Sequence, residues 1–392
     1  MLRFLTAGES HGPALTLIVE GLPAGLAVEE EAVNAALARR QAGYGRGGRM
    51  LIEKDRAQFT AGVRFGKTLG TPVGLTIPNR DWANWLDDMA LFGPERHGRD
   101  LTRPRPGHAD LAGMCKYAFA DARPVLERAS ARNTATQVAA GALASALLDA
   151  LGLEAAAHVR AVGEVKLPDA IRPSPAEIKE RAGGSDFFCV CEKTAAKMRA
   201  AVDAAKASGD SLGGLVEVVG DKIIPGLGSY AHWDRRIDGL LAQAVMSIPA
   251  FKAVEIGDGQ RAAEMPGSLV HDEVLPAAGG GVRRASNRAG GVEGGMTNGE
   301  RLIVRGYMKP IPTLTTPLRT VDVLTGEAAA AASERSDTCA VPAAAAVAEA
   351  MVKWVLAAAV LEKFSADNMG DLNAAVKLYR ERLKKGGCAP CG

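Results

Sequence analysis

The chain has 392 residues, 47% of them hydrophobic and 23% charged, and 47 Lys and Arg against 45 Asp and Glu leave a net charge of +2. This balance suits a globular protein with a large core and gives no bulk charge with which to hold nucleic acid or a membrane surface. Six cysteines, at 115, 189, 191, 339, 388 and 391, are too scattered for a disulfide framework in a chain this long; the lone Cys388-x-x-Cys391 reads as a tail with two free thiols, and no metal site is expected.

The opening MLRFLTAGESHG lacks the long apolar run of a signal peptide, which predicts a cytoplasmic location. Within it, Ser10 and His11 stand between Gly8 and Gly12, and glycine lets a backbone approach a ligand closely. Neighbouring Ser and His are not a hydrolase triad, and no G-x-S-x-G elbow is present. Taken alone, His11 reads equally as catalytic or as structural. Residues 13–20 (PALTLIVE) read as a strand, and 29–41 (EEEAVNAALARRQ) as a helix with acids in its first turn, where the helix dipole favours them. GYGRGGRM (43–50) ends that helix. With its last turn it offers Arg39, Arg40, Arg46 and Arg49 among glycines. Guanidinium groups bind carboxylate and phosphate bidentately, and backbone N–H groups freed by glycine can join them. The segment follows a helix rather than a strand, so it is not a dinucleotide fingerprint; a solvated basic loop is the alternative.

Short strands are expected at 50–53, 58–64 and 72–77, then a proline- and glycine-rich loop over 78–110, long enough to be functional. It closes on RPRPGHAD (103–110), where prolines stiffen the backbone and Arg105 and His108 can converge on an anion. ERASARNT (127–134) puts Arg128, Ser130 and Arg132 at the start of an alanine-rich helix that runs to about residue 151, with Ser130 as its cap. Helices at 194–207 and 235–248 and strands at 213–220 and 300–308 follow. A glycine-dense stretch, 257–299, leads through GGVEGGMTNGE (290–300) to MKPIPT (308–313), either a loop that wraps a planar or phosphorylated ligand or a long hairpin. ERSDTCAVP (334–342) offers Arg335 and Asp337 before a helix of about 342–363, with Asp337 as the natural cap if the segment is only structural. Residues 340–362 are the most apolar of the chain, yet Pro342, Glu349 and Lys353 interrupt them, so a buried helix is expected rather than a membrane span. There is no internal repeat and no linker, and helices and strands do not alternate strictly. The pattern points to an α+β fold.

Loop-borne arginines and two histidines are about what recognition of a small polyanion, alone or with a phosphorylated cofactor, requires. In chain order, TAGESHG, RRQAGYGRGGRM, RPGHAD, ERASARNTA, GLGSYAHWDRRID, SIPAFKAVE, GGVEGGMTNGE, MKPIPT and ERSDTCAVPA resemble the segments of chorismate synthases, from residue 1 to about 370. The resemblance implies a helix layer sandwiched between antiparallel β-sheets. It implies residues 1–370 as one domain, 371–392 as a C-terminal helix and tail outside the pattern, and a homotetramer. The implied reaction is the last step of the shikimate pathway, catalysed by a carbon–oxygen lyase. 5-Enolpyruvylshikimate 3-phosphate loses phosphate and a ring proton by anti-1,4-elimination to give chorismate, and reduced FMN is required although there is no net redox change.

Residue by residue, the resemblance implies that Arg40, Arg46, Arg49, Arg105, Arg132 and Arg335 face the substrate or the flavin phosphate. His11 would protonate the departing phosphate, a task that suits an imidazole. His108 would lie by the flavin ring and favour its reduced, anionic form, and Asp337 and Ser10 would relay the ring proton onward. The implied flavin contacts are Arg40, Arg46, Arg128, Ala129, Ser130, Pro249, Ala250, Gly294, Lys309, Pro310, Ile311, Pro312, Thr313 and Arg335. Two positions depart from the pattern. Pro249 stands where many members have Asn, which removes a side-chain hydrogen bond, and Asn133 stands where many have Glu, which removes a charge. Some members also reduce flavin with NADPH, an activity that no strand-then-glycine fingerprint supports here. An RNA- or anion-binding protein is the alternative from another class. With 5% aromatic residues overall and Tyr44 alone among the arginine segments, stacking platforms are scarce, so neither nucleic acid nor membrane is expected as a partner.

Overall fold

The computed structural model describes residues 1–47, 54–277, 281–332 and 337–385. The short strand expected at 50–53, and Cys388 and Cys391, lie outside them.

Alternation of apolar and polar residues builds the first sheet. In the strand Ala14–Glu20, Leu15, Leu17 and Val19 are fully buried while Thr16, Ile18 and Glu20 point outward. The strand Val73–Pro78 buries Val73, Leu75 and Ile77 in the same way. With Arg3–Ala7 and Gln58–Ala61 on the two edges they form a four-stranded antiparallel front sheet. The rear sheet is antiparallel throughout, in the order Phe251–Ile256, Leu302–Met308, Gly214–Asp221, Glu154–Val162, Val165–Lys166.

A helix layer lies between the sheets. The helix Thr134–Ala150 packs on the front strand Ala14–Glu20, the helix Val341–Phe364 packs on the rear strands Glu154–Val162 and Gly214–Asp221, and the two helices pack on each other and on Glu30–Gln41. The expected α+β sandwich is what the chain forms. Val341–Phe364 is long and apolar enough to cross a membrane, but 89% of its apolar window is buried inside the fold, which is where a helix apolar on all sides belongs. Gly141 sets the crossing distance: a Cβ there would lie 2.3 Å from Ala350 Cβ and 2.5 Å from its Cα. Gly141→Ala is therefore expected to destabilise the fold by about 1–3 kcal/mol through overpacking, read as a lower denaturant midpoint at unchanged m-value. An unchanged midpoint would mean that the two helices can separate without cost.

The rear sheet carries a line of charge. His158, Glu217, Arg305 and Glu255 are direct cross-strand neighbours on four consecutive strands. His158 Nε2 lies 3.0 Å from Glu217 Oε1, Arg305 Nε 2.6 Å from Glu217 Oε2, and Arg305 Nη1 3.5 Å from Glu255 Oε2. Arg160 adds a 3.2 Å contact to Glu217, and Tyr307 donates its hydroxyl to Glu255 at 2.7 Å. Burial pushes the Glu217 carboxyl up, but the His158 hydrogen bond and the charges of Arg160, His158 and Arg305 outweigh it and hold the group at about 2. The helices Pro175–Ala182 and Glu192–Ala207 pack against the strand Glu154–Val162, which is buried along nearly its whole length.

Several local expectations change. Arg3–Ala7, at the opening of the chain, is an edge strand. Ser130 caps a short 3-10 turn, Ala131–Asn133, so the long helix begins at Thr134. GGVEGGMTNGE forms a tight hairpin, Val292–Glu293 against Met296–Thr297, with Gly294 and Gly295 at positive φ in its turn. This is the hairpin alternative for GGVEGGMTNGE.

Candidate active site

Loops leaving the helix layer and both sheets enclose a cavity of about 520 Å³, within the range of small-molecule sites. His11 enters it from the turn between the first two strands. Gly8 in that turn has φ +109°, and a Cβ there would lie 2.4 Å from the Ala14 carbonyl, so this glycine serves the turn rather than the approach of a ligand.

The His11 ring is fixed on more than one side. Nδ1 lies 2.8 and 3.0 Å from the two carboxylate oxygens of Glu127, and the His11 backbone N–H donates to Glu127 Oε2 at 2.7 Å. The ring stacks on Trp85 with centroids 3.7 Å apart and planes 22° from parallel. Glu127 is fully buried. Burial raises its carboxyl, but hydrogen bonds from the His11 ring and backbone and the Arg123 charge bring it below the ordinary value.

The arginines converge from separate elements. Arg40, in the last turn of the helix Glu30–Gln41, donates to Thr134 Oγ1 at 2.9 Å and to the Ala131 carbonyl at 3.0 Å. Arg132 donates to the Ser10 carbonyl at 2.9 Å. Buried Asp55 lies between these two guanidinium groups, 3.2 Å from Arg132 and 3.6 Å from Arg40. Arg46 meets Asp337 at 3.0 Å, and the Gly47 N–H donates to the same carboxylate at 2.6 Å. Asp337 therefore does not cap the helix that follows, which starts at Val341 with Ala340 before it and no side-chain cap.

At the second histidine, Arg105 binds Asp110 through Nε at 2.8 Å and Nη2 at 3.0 Å and reaches Thr313 Oγ1 at 3.1 Å, while His108 Nδ1 also hydrogen-bonds Asp110. Burial raises the Asp110 carboxyl, but its bonds to His108 and Arg105 dominate and hold it far below the carboxylate range. Lys309 ties this loop to MKPIPT by donating to the Gly107 carbonyl. Ile248, Pro249, Ala250, Met308, Ile311 and Pro312 line the cavity with apolar surface, as do Leu126, Ala343, Ala344 and Val347. Ala250 holds φ +71°, a conformation side chains rarely adopt, and its carbonyl accepts the Lys309 N–H at 2.9 Å.

This constellation joins segments spread over the whole chain, and the sequence model described as chorismate synthase matches residues 2–361. The chain belongs to the chorismate synthase family. The chorismate synthase of Moorella thermoacetica is 54% identical over 386 residues, 98% of this chain and 100% of its own length. That of Kocuria rhizophila is 55% identical over 381 residues, 95% of this chain and 91% of its own. A crystal structure of chorismate synthase matches with a TM-score of 0.80 at 41% identity, covering 98% of both chains. The chain is accordingly a lyase that forms chorismate in the shikimate pathway.

Of the residues that likeness to chorismate synthases singled out, His11, His108, Arg40, Arg46, Arg105, Arg132, Asp337, Ala129, Ser130, Pro249, Ala250, Lys309, Ile311, Pro312 and Thr313 line the one cavity. Ser10 is buried beside it, with its Oγ accepting from Ser130 at 3.0 Å. Pro310 lies between two lining residues without lining the cavity itself, and Gly294 is in the hairpin turn and does not line it. Arg128 points elsewhere, to Thr6 and the Gly8 carbonyl. Arg49 and Arg335 lie outside the described residues. Glu127, Asp55, Asp110 and Trp85 were not foreseen. Asp110 and Glu127 stood inside quoted segments, RPRPGHAD and ERASARNT, as the acids nearest the expected site cations.

Proposed function

We propose that the elimination runs in this cavity with His11 as the acid that gives a proton from Nε2 to the departing phosphate, and with reduced FMN bound beside the substrate. Convergence of two histidines and four buried or nearly buried arginines on one partly apolar cavity carries the reading. Arg40, Arg46, Arg105 and Arg132, with Arg49 and Arg335, clamp the phosphate and two carboxylates of 5-enolpyruvylshikimate 3-phosphate. The residues present suit FMN. Ile248–Ala250, Met308 and Ile311–Thr313 offer apolar surface and backbone to a flat ring, and the arginines and Ser130 offer donors to its phosphate. When bound, the reduced flavin supplies electron density to an electron-poor allylic centre. His108, held by Asp110, would lie by the flavin ring and favour its reduced, anionic form, and Asp337 and Ser10 would relay the ring proton onward.

On this reading residues 1–370 form one catalytic domain followed by a C-terminal helix and tail, and the enzyme is a cytoplasmic homotetramer. Exposed Leu5 and Ile18, cross-strand neighbours on the outer face of the front sheet, support an apolar face that meets another subunit. An anaerobic assay tests the function. Protein, substrate and photoreduced FMN should release phosphate and chorismate together, while oxidised FMN without reductant should give neither. Product with oxidised FMN and no reductant would overturn the requirement that the flavin be reduced. A third arm, oxidised FMN with NADPH, decides whether the chain reduces its own cofactor.

A further inference from the structure

We propose that Glu127 is a positioning residue for the reaction: it holds the His11 imidazole with a proton always on Nδ1, so that the proton exchanged with substrate is the one on Nε2. The inference rests on the reading of His11 as the acid. Glu127 lies 116 positions away in sequence, on the helix Arg123–Ala129, and its carboxylate takes both the His11 backbone N–H and the ring Nδ1. An ionised carboxylate can only accept. A neutral His11 must then carry its single proton on Nδ1, and the protonated ring adds the second on Nε2. Two contacts to one backbone and one ring leave little rotational freedom, and the Trp85 stack removes more.

The charges around the ring favour this arrangement from each packed element. Arg123, on the same helix, reaches Glu127 Oε1 at 3.4 Å and keeps it ionised. Trp85 is anchored by Asp81 through Nε1 at 3.0 Å, and Arg99 lies 4.0 Å from the Trp85 ring centroid, with its own partner Asp88 at 2.9 Å. Arg132 faces the turn through the Ser10 carbonyl, and Glu9 is the neighbouring acid on the turn itself. Glu127 is the anion within hydrogen-bond reach of the ring among the described residues, and nothing in the assigned reaction uses it otherwise.

The test combines turnover with a spectrum that needs no turnover. Glu127→Gln keeps a side chain of the same shape but removes the charge. Turnover at neutral pH is expected to fall about 10²–10⁴-fold, with KM and FMN affinity little changed. Glu127→Asp, which restores the charge, should recover part of the rate. Wild-type turnover in a folded Gln variant would overturn the proposal. Should that variant not fold, ¹⁵N histidine spectra of the unmodified protein decide: the neutral His11 ring must be protonated at Nδ1, and protonation at Nε2 would overturn it. Normal turnover in His11→Ala would instead overturn the functional reading and the catalytic part of this proposal with it, whatever the tautomer.

Discussion

In a His11→Asn variant, turnover of 5-enolpyruvylshikimate 3-phosphate is expected to drop roughly 10²–10⁴-fold, the usual share of a general acid, while FMN still binds. Asparagine is the better test than alanine. Its amide can donate to Glu127 much as Nδ1 does, so the buried carboxylate keeps a partner and the fold is spared, while no group remains at the position of Nε2 to give up a proton. His11→Ala removes both functions and should add a stability loss from the stranded Glu127. Burst measurements of phosphate release, run anaerobically with photoreduced FMN, read the chemical step directly. Near-normal turnover in a folded Asn variant would remove His11 from the mechanism and leave it a turn residue.

The second large effect is on stability, far from the cavity. Glu217→Gln should cost about 3–5 kcal/mol, because His158, Arg160 and Arg305 would lose the one buried anion they share. The acid dependence should change with it. Glu217 titrates at about 2 in the fold against an ordinary 4.5, so its ionised form stabilises the native state fully above pH 4.5. That stabilisation is lost as the pH falls from 4.5 towards 2. The variant should therefore show a flatter stability curve over this window as well as a lower plateau, with chorismate formation unaffected near neutrality. A plateau within 1 kcal/mol of the parent would show that the cations find other partners, at odds with the cost of breaking a buried pair.

The cavity was more legible in the sequence than the structure that supports it. Arg40, Arg46 and Arg105 stood out because each lies in or near a run of glycine or proline, where a bare cation has few structural uses, and Arg132 because it stands at the start of a helix, where a cation opposes the dipole. The long helix at 341–364 could be read as buried because Glu349 and Lys353 break its apolar run; in the fold they pair with each other at 2.8 Å. The charge line on the rear sheet was invisible, since it depends on the register of four strands whose partners lie up to 88 positions apart. Glu127 was hidden for a related reason. In the sequence it is an ordinary acid before an arginine, and only the packing of its helix against the first turn brings it to His11. Asp337 could be read as a cap or as a site residue from its position alone, and its pairing with Arg46 and the Gly47 N–H excludes the cap.

The first turns of the helix Val341–Phe364 belong to two structures at once. Ala344 and Val347 line the cavity and are also members of the buried core between the sheets. A compound that gained its affinity from that apolar surface would leave the enzyme few routes to resistance. A bulkier side chain at Ala344 that blocked the inhibitor would also press into the layer that joins the two sheets, so escape variants would tend to be misfolded ones.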